Sequence, residues 1–155
     1  MDFVINEWFA EYLKPDATVK ERQKFYQFYK WFLEKNNSNR IIINTEQPLY
    51  IKLQRYAKSY QIYPSGKLFK SIISTLLINN TKTLLVDEDF ELPDKLNELL
   101  QNGNFSSDAY LFKCALQSKS KIIVTTDSRL QKHTEAYEDV KVILLDDFLN
   151  DYCSL

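Results

Sequence analysis

Oxygen-bearing side chains recur in this sequence where apolar runs end and where helical segments begin. Five of them form a candidate set: Asn6, Glu7, Glu46, Asp108 and Asp127. Carboxylate and amide oxygens suit Mg²⁺ or Mn²⁺, and these ions keep water and phosphate oxygens among their ligands. Two such ions about 4 Å apart activate a water molecule and stabilise the leaving oxygen in phosphodiester cleavage. The candidate set therefore predicts metal-dependent phosphodiester hydrolysis, provided that the fold brings its members together.

Each carboxylate in the set also has a structural interpretation, which the sequence leaves open. Asp108 lies at a helix start, where a carboxylate interacts favourably with the helix dipole. Asp127 directly precedes a short helix and is placed to cap it. Glu7 and Glu46 fall in first helical turns, where acidic residues are common, so a structural role is the simpler interpretation of either one alone.

Strand-like and helix-like segments alternate along the 155 residues and must position these side chains. Runs rich in Ile, Val and Leu predict buried strands at residues 3–5, 40–44, 83–86, 121–125 and 140–145. Apolar periodicity predicts helices over 7–13, 18–35, 45–59, 68–78, 93–100, 108–117, 128–133 and 146–152, with a turn at 63–66. We expect Ser106 or Ser107 to cap the helix over 108–117, and Asn102-Gly103 to close the helix over 93–100.

This alternation predicts a single three-layer α/β domain over residues 1–155, with a central, mostly parallel β-sheet flanked by helices. In such sheets, sites form beyond the carboxyl ends of the strands. The polar residue after each strand is therefore the first place to look for function. That rule gives residues 6–7, 44–46, 87–89, 127 and 146–147, and Asp108 joins them as the first residue of a helix.

Composition excludes several classes of protein. The 20 basic and 21 acidic residues nearly cancel, which argues against a polybasic nucleic-acid binder but leaves a metal-dependent nuclease open. Two glycines cannot build the glycine-rich phosphate loop of a Rossmann or P-loop protein. Two cysteines without CxxC spacing and one histidine argue against a Cys/His zinc site.

The helix over 18–35 carries an aromatic stripe with two interpretations. Its periodic positions are Phe25, Phe28, Tyr29 and Phe32, and we expect Tyr26 and Leu33 to widen the same face. Because lysines at 24, 30 and 35 are interleaved with these aromatics, one interpretation of the stripe is a surface on which nucleic-acid bases stack. A core stripe with lysines extending from its edges is the simpler interpretation.

Other motifs also have alternative interpretations. The segment LLVDED at 84–89 resembles the strand and Asp-x-Asp of haloacid dehalogenase phosphatases, although an exposed acidic loop is simpler. We expect His133 on the surface, and Cys114 as a small buried residue on the helix of Asp108. One interpretation of four basic residues is a face that contacts phosphate, although a solvated face is the simpler interpretation. These residues are Arg40, Lys52, Arg55 and Lys58.

The order of elements and motifs resembles the PIN domain nucleases, a family that includes the toxin ribonucleases of toxin–antitoxin pairs. The resemblance is carried by FVIN at 3–6, SSDAYLFKCAL at 106–116, IIVTTD at 122–127 and VKVILLDDFL at 140–149. It spans nearly the whole chain, and the pairing of Asp108 with Asp127 is its more specific part. It implies a PIN-like fold and a Mg²⁺- or Mn²⁺-dependent endoribonuclease.

Two acidic positions of the family pattern are not matched. Asn6 stands where the family has Asp, and its amide oxygen can bind a hard cation but adds no negative charge. The mid-chain Glu position falls near Tyr50 or Lys52, neither of which is acidic. The alternative to a nuclease is therefore a catalytically weak or inactive PIN-like binding or regulatory module.

For the nuclease, we expect Asp108, Asp127, Glu7 and Glu46 as catalytic carboxylates, with Asp108, Asp127 and Asn6 as metal ligands. The expected substrate is RNA, with single-stranded DNA as an alternative. The resemblance also implies an antitoxin-like or operon-encoded protein partner, and the aromatic content is compatible with a homodimer. The opening segment lacks the features of a signal peptide, and no apolar run approaches the roughly 18 residues of a membrane span, so we expect a cytoplasmic protein without a membrane partner.

Overall fold

The computed structural model describes residues 1–34, 38–59, 64–78 and 81–154. Its strands form one sheet: β1 (Asp2–Ile5), β2 (Arg40–Ile43), β3 (Thr83–Leu85), β4 (Ile122–Thr125) and β5 (Lys141–Leu144). Every neighbouring pair is parallel, and helices pack on both faces. The predicted three-layer α/β architecture with a parallel central sheet is therefore confirmed. Lys35 and Tyr63, assigned from the sequence to a helix and a turn, lie outside the described ranges.

Eight α-helices occur within these ranges and connect the strands. They are α1 (Trp8–Glu11), α2 (Val19–Leu33), α3 (Pro48–Ser59), α4 (Pro64–Ile78), α5 (Asp94–Asn102), α6 (Ala109–Leu116), α7 (Ser128–Thr134) and α8 (Leu145–Tyr152). A 3₁₀ turn at Ser106–Asp108 precedes α6. None of the helices in the described ranges is both long and apolar enough to cross a membrane.

The order in which the chain adds strands to the sheet reverses at β1. The strand order is β3-β2-β1-β4-β5, so the chain adds β2 and β3 on one side of β1 and then β4 and β5 on the other. Phe3 of β1 is accordingly paired with Ile41 of β2 and with Ile122 of β4. Sites in open parallel sheets form at the carboxyl ends of the strands at such a switch point. The crevice beyond β1 and β4 is therefore where this fold places a site.

Successive residues of the central strands are buried on opposite faces of the sheet. Phe3 and Ile5 of β1 belong to one apolar cluster, whereas Val4 belongs to the other. Ile41 and Ile42 of β2 divide in the same way. Because helices cover both faces, these strands are continuously apolar rather than alternating, which is why they could be recognised in the sequence.

The aromatic stripe of α2 is a core face, as its periodicity predicts. Phe25, Phe28 and Phe32 are buried, and the rings of Phe28 and Phe32 stack with centroids 6.2 Å apart. Tyr26 and Leu33 are 68% and 42% exposed, so the prediction that they widen this face was wrong. They are seven residues apart, and this spacing places them together on a face of α2 that contacts solvent.

Most helix boundaries differ from the prediction by a few residues, and two places show a physical reason. Residues 64–66, predicted as a turn, are the start of α4, where proline is tolerated because it needs no N–H partner. Gly103 is the C-cap of α5, as predicted, but its φ is −92° and the positive φ of 61° lies at Asn104. A Cβ on Gly103 would lie 2.4 Å from Nε2 of His133, so close approach rather than backbone conformation requires glycine there.

Candidate functional site

Three carboxylates from separate chain segments interact at the switch point. Glu7 follows β1, Asp127 follows β4, and Asp108 directly precedes α6. Burial is the largest cause that raises the pKa of Asp108, and the negative charges of Asp127 and Glu7 raise it further. Like charges near a carboxyl favour its protonated form, so the three carboxylates lie near enough to affect one another. The structure thus brings together three of the four carboxylates in the candidate set.

Asp108 occupies the N-cap position of α6 without capping it. Its side chain makes no capping hydrogen bond, and its own N–H donates to the Phe105 carbonyl at 3.0 Å. The 3₁₀ turn places Ser106 and Ser107 before that position, so the prediction that one of them caps this helix was wrong. Hydrogen-bond capping therefore does not explain why a carboxylate lies at residue 108.

Asp127 does cap a helix. Its Oδ1 accepts the N–H groups of Arg129 at 2.8 Å and Leu130 at 3.1 Å, so the structural interpretation of this residue holds. The Asp127 N–H donates to Oγ1 of Thr125, the last residue of β4, at 3.1 Å. These bonds fix the carboxylate at the end of β4, from where its charge acts on Asp108.

Asn6 spans the switch point and has an unused acceptor. Its Nδ2 donates to Oγ1 of Thr125 at 2.9 Å, joining the end of β1 to the end of β4. Its Oδ1 is buried and accepts no hydrogen bond from any described residue. Buried acceptors without a partner are rare in native proteins. This oxygen therefore fits the role of a neutral ligand to a cation or to a water molecule.

Lys52 of α3 places a positive charge beside Glu7. Its Nζ lies 2.9 Å from Glu7 Oε1 and 2.5 Å from Glu11 Oε1. Burial lowers the pKa of Lys52, but the contacts with Glu11 and Glu7 outweigh burial and raise it overall. A cation of α3 thus neutralises part of the acidic site.

Tyr110 is a further site residue that the sequence did not single out. It is half-buried, and burial raises the pKa of its phenol, as do the charges of Glu7 and Asp108. Its place two residues after Asp108, at the start of α6, is a signal that could have found it. Burial also raises the pKa of the Cys114 thiol to about 12, so Cys114 is the small buried residue that was predicted.

A cleft of about 230 Å³ lies beyond the end of β2 and shares Tyr110 with the carboxylates; we call it the β2 cleft. Its polar lining includes Glu46, Gln47, Glu88, Tyr110 and Lys113. Glu46 is exposed and is not among the charges that raise the pKa of Asp108. The structure therefore places Glu46 in this cleft and not with the other three carboxylates.

The remaining alternatives do not form a second site. The Asp87 carboxylate accepts the Asp89 N–H at 2.9 Å in an exposed turn, as an acidic loop would. Arg40 lies in β2 and forms two hydrogen bonds with Asp2, of 2.7 and 2.8 Å, so it does not share a face with the basic residues of α3. His133 was expected on the surface, but it is half-buried, with Nε2 2.6 Å from the Leu99 carbonyl oxygen.

The donor set of the site fits a hydrated Mg²⁺ or Mn²⁺ ion. Asp108, Asp127 and Oδ1 of Asn6 supply hard oxygen donors, and Oδ1 has no other partner in the described chain. Among the described residues, no three His, Cys, Asp or Glu side chains are arranged to hold a metal ion. Mg²⁺ is commonly held by one or two carboxylates, with water and phosphate oxygens completing its shell. These side chains fit that mode rather than an all-protein cage.

What this site can do follows from its own side chains. It combines three interacting carboxylates, an unpartnered amide oxygen and an ammonium group at the switch point of the sheet. A cleft with mixed polar and aromatic lining adjoins it. Comparison of the chain with family models, with curated proteins and with solved structures gives no match.

Proposed function

We propose that this chain is a PIN-like, metal-dependent nuclease that hydrolyses phosphodiester bonds in RNA. One observation carries the proposal: Glu7, Asp108 and Asp127 come from distant parts of the sequence and interact at the switch point of a parallel sheet. Grouping like charges in a partly buried place destabilises the folded state. Such groups are concentrated at functional sites, where the cost is offset by what the site does. A phosphodiester with a divalent cation is a ligand that such a group attracts.

The side chains have separate tasks in this proposal. A bound divalent cation supplies an activated water molecule and neutralises charge on the phosphate oxygens. Asp108 and Asp127 provide the negative charge that holds the cation, and the capping bonds of Asp127 keep its carboxylate in place. Asn6 is bonded to Thr125 through Nδ2, and its unpartnered Oδ1 would serve as a neutral oxygen donor at the same strand ends. Glu7 increases the negative potential at Asp108.

Cleavage of labelled RNA and single-stranded DNA oligonucleotides with Mn²⁺, Mg²⁺ or EDTA tests the proposal. We expect Mn²⁺- or Mg²⁺-dependent RNA cleavage that falls by about 100-fold or more in Asp108→Asn, as when one group that stabilises transition-state charge is removed. Asp139→Asn is the matched control, because Asp139 is exposed and lies before β5, at the opposite edge of the sheet. Absence of cleavage of both substrates, or undiminished cleavage by Asp108→Asn, would contradict the nuclease.

A second candidate function is a PIN-like binding or regulatory module. The ion pair between Lys52 and Glu7 favours it, because a built-in ammonium reduces the charge available to a metal ion. Such a module should bind RNA or a protein partner in EDTA and retain that binding in Asp108→Asn and Asp127→Asn. The nuclease should instead lose metal-dependent cleavage in both variants.

The wider setting is part of the same proposal. A toxin-like ribonuclease would act in the cytoplasm under an antitoxin-like or operon-encoded protein inhibitor. Size-exclusion chromatography with light scattering tests the predicted homodimer, and co-purification with the product of an adjacent gene tests the inhibitor. Both stay predictions, as does single-stranded DNA as a second substrate.

A further inference from the structure

Gln47 is buried beside the β2 cleft and uses only one half of its side-chain amide. It is 2% exposed, and its Oε1 accepts the Asn44 N–H at 3.1 Å and the Cys114 thiol at 3.6 Å. Its Nε2 is buried and donates to no described residue. Rotating the amide by 180° would set Nε2 against the Asn44 N–H, and two donors cannot bond each other. The orientation is therefore fixed, and Nε2 remains a donor without an acceptor.

A ligand in the β2 cleft would supply the missing acceptor, because Gln47 is one of the residues that line this cleft. Gln47 lines the β2 cleft, together with the aromatic side chain of Tyr110 and the cation of Lys113. The cleft, at about 230 Å³, is smaller than the roughly 300–1,000 Å³ of pockets that enclose drug-sized ligands. A planar base of one or two fused rings that carries a carbonyl group fits both the size and the donor.

Tyr110 connects this cleft with the carboxylates. It lines the cleft, and the charges of Glu7 and Asp108 act on its phenol. A nucleotide whose base enters the cleft would therefore have its sugar and phosphate near the acidic crevice. Unstacked bases in single-stranded RNA are commonly bound in this manner, against an aromatic side chain and with hydrogen bonds to their edges.

We propose that the β2 cleft is a guanine-binding subsite for the RNA strand; the identity of the strand rests on the proposed nuclease function. Gln47 offers a donor alone, because Oε1 is already bonded, which excludes the two-bond contact that Gln makes with adenine. Guanine presents the O6 acceptor next to two donors, N1–H and N2–H. Glu46, the neighbouring residue in the same cleft, supplies a carboxylate for those two donors. Guanine alone among the four bases has two adjacent donors beside a carbonyl on one edge.

Titration of the protein with the four nucleosides in EDTA tests the subsite without any need for cleavage, and it avoids repulsion between a phosphate and the carboxylates. We expect guanosine to bind about tenfold or more tightly than the other three, which is the discrimination that a two-bond base contact provides. Glu46→Gln should abolish the preference, and Glu46 is exposed, so this variant should fold. Gln47→Glu keeps the acceptor for Asn44 and replaces the donor by an acceptor, so it should also lose the preference.

Glu88→Gln is the matched control, because it removes the same charge from the same cleft. It should retain the preference for guanine. Equal binding of the four nucleosides, binding of none, or an intact preference in Glu46→Gln would overturn the subsite.

Failure of the subsite and failure of the nuclease give different results. Guanine-selective binding that depends on Glu46, without cleavage of any RNA, supports the subsite and contradicts the nuclease. Metal-dependent cleavage with no preference for guanine next to the cleaved bond supports the nuclease and overturns the subsite.

Discussion

Replacing Lys52 by methionine preserves much of the side-chain volume in α3 and deletes the ammonium that bridges Glu7 and Glu11. The three side chains are 27%, 40% and 31% exposed, so water partly screens both ion pairs. Pairs of this kind contribute about 0.2–1 kcal/mol each to the free energy of unfolding. We therefore expect Lys52→Met to reduce the free energy of unfolding by about 1 kcal/mol. This lowers Tm by about 2–4 °C in a domain of this size.

The pH dependence of this loss identifies its cause. Burial raises the pKa of Glu11, but contacts with Lys14, Lys52 and Tyr56 outweigh burial and lower it below 4.5. A carboxylate with a lowered folded pKa stabilises the protein above its unfolded pKa, and that stability is lost as pH falls through the folded value. The pKa of Lys52 is raised above 10.5, so its contribution is lost as pH rises above that value. The loss in Lys52→Met should be full between about pH 5 and 10 and shrink outside that window.

Thermal unfolding followed by circular dichroism measures this effect. Lys58→Met is the matched control, because Lys58 is exposed on the same helix and forms no salt bridge within the described chain. An unchanged Tm at neutral pH, or the same decrease at pH 3 as at pH 7, would refute the reasoning. For a nuclease, Lys52→Met should also reduce the Mn²⁺ concentration needed for half-maximal cleavage, because no ammonium then competes for Glu7.

Three further variants test the site and its supports. Asp108→Asn should raise Tm at pH 7 while abolishing cleavage, because a carboxyl whose pKa is raised in the folded state destabilises that state at neutral pH. The gain in Tm should vanish below pH 3.8, where the carboxyl is protonated in both states. A lower Tm at pH 7 would contradict this reasoning. Asp127→Ala should lose about 1 kcal/mol in urea unfolding, whereas Asp127→Asn keeps a cap and should lose much less, although both should lose cleavage. Gly103→Ala should displace the His133 ring from the Leu99 carbonyl and reduce the free energy of unfolding by about 1 kcal/mol. An unchanged urea midpoint would count against that contact.

The fold could be predicted from the sequence because its strongest signals are local. The runs at β2 and β4 are continuously apolar, which is typical of strands covered on both faces. Polar residues directly after strands then indicated the site, since parallel strands end at the same edge of the sheet. Glu7 and Asp127 were found by that rule, and the structure brings them to Asp108.

The parts of the site that could not be predicted depend on how helices are rotated and packed. Lys52 lies 45 residues after Glu7 in the chain, and only the packing of α1 against α3 brings the two together. Whether Asp108 caps its helix depends on the 3₁₀ turn before it, which sequence patterns do not specify. The spare donor of Gln47 follows from a backbone contact with Asn44 at the end of β2. None of these contacts has a local sequence signature.

Charge within the site is compensated unevenly, and this decides where a cation would bind. Glu7 shares Lys52 with Glu11, whereas neither Asp108 nor Asp127 forms a salt bridge within the described chain. The uncompensated charge therefore lies on the side of Asp108 and Asp127, which is also where Asn6 leaves Oδ1 without a partner. A divalent cation is stabilised most where no ammonium already neutralises the carboxylates. The net charge of −1 thus conceals a local negative surplus that repels phosphate by itself, so the proposed nuclease would need a bound metal ion before it could bind its substrate.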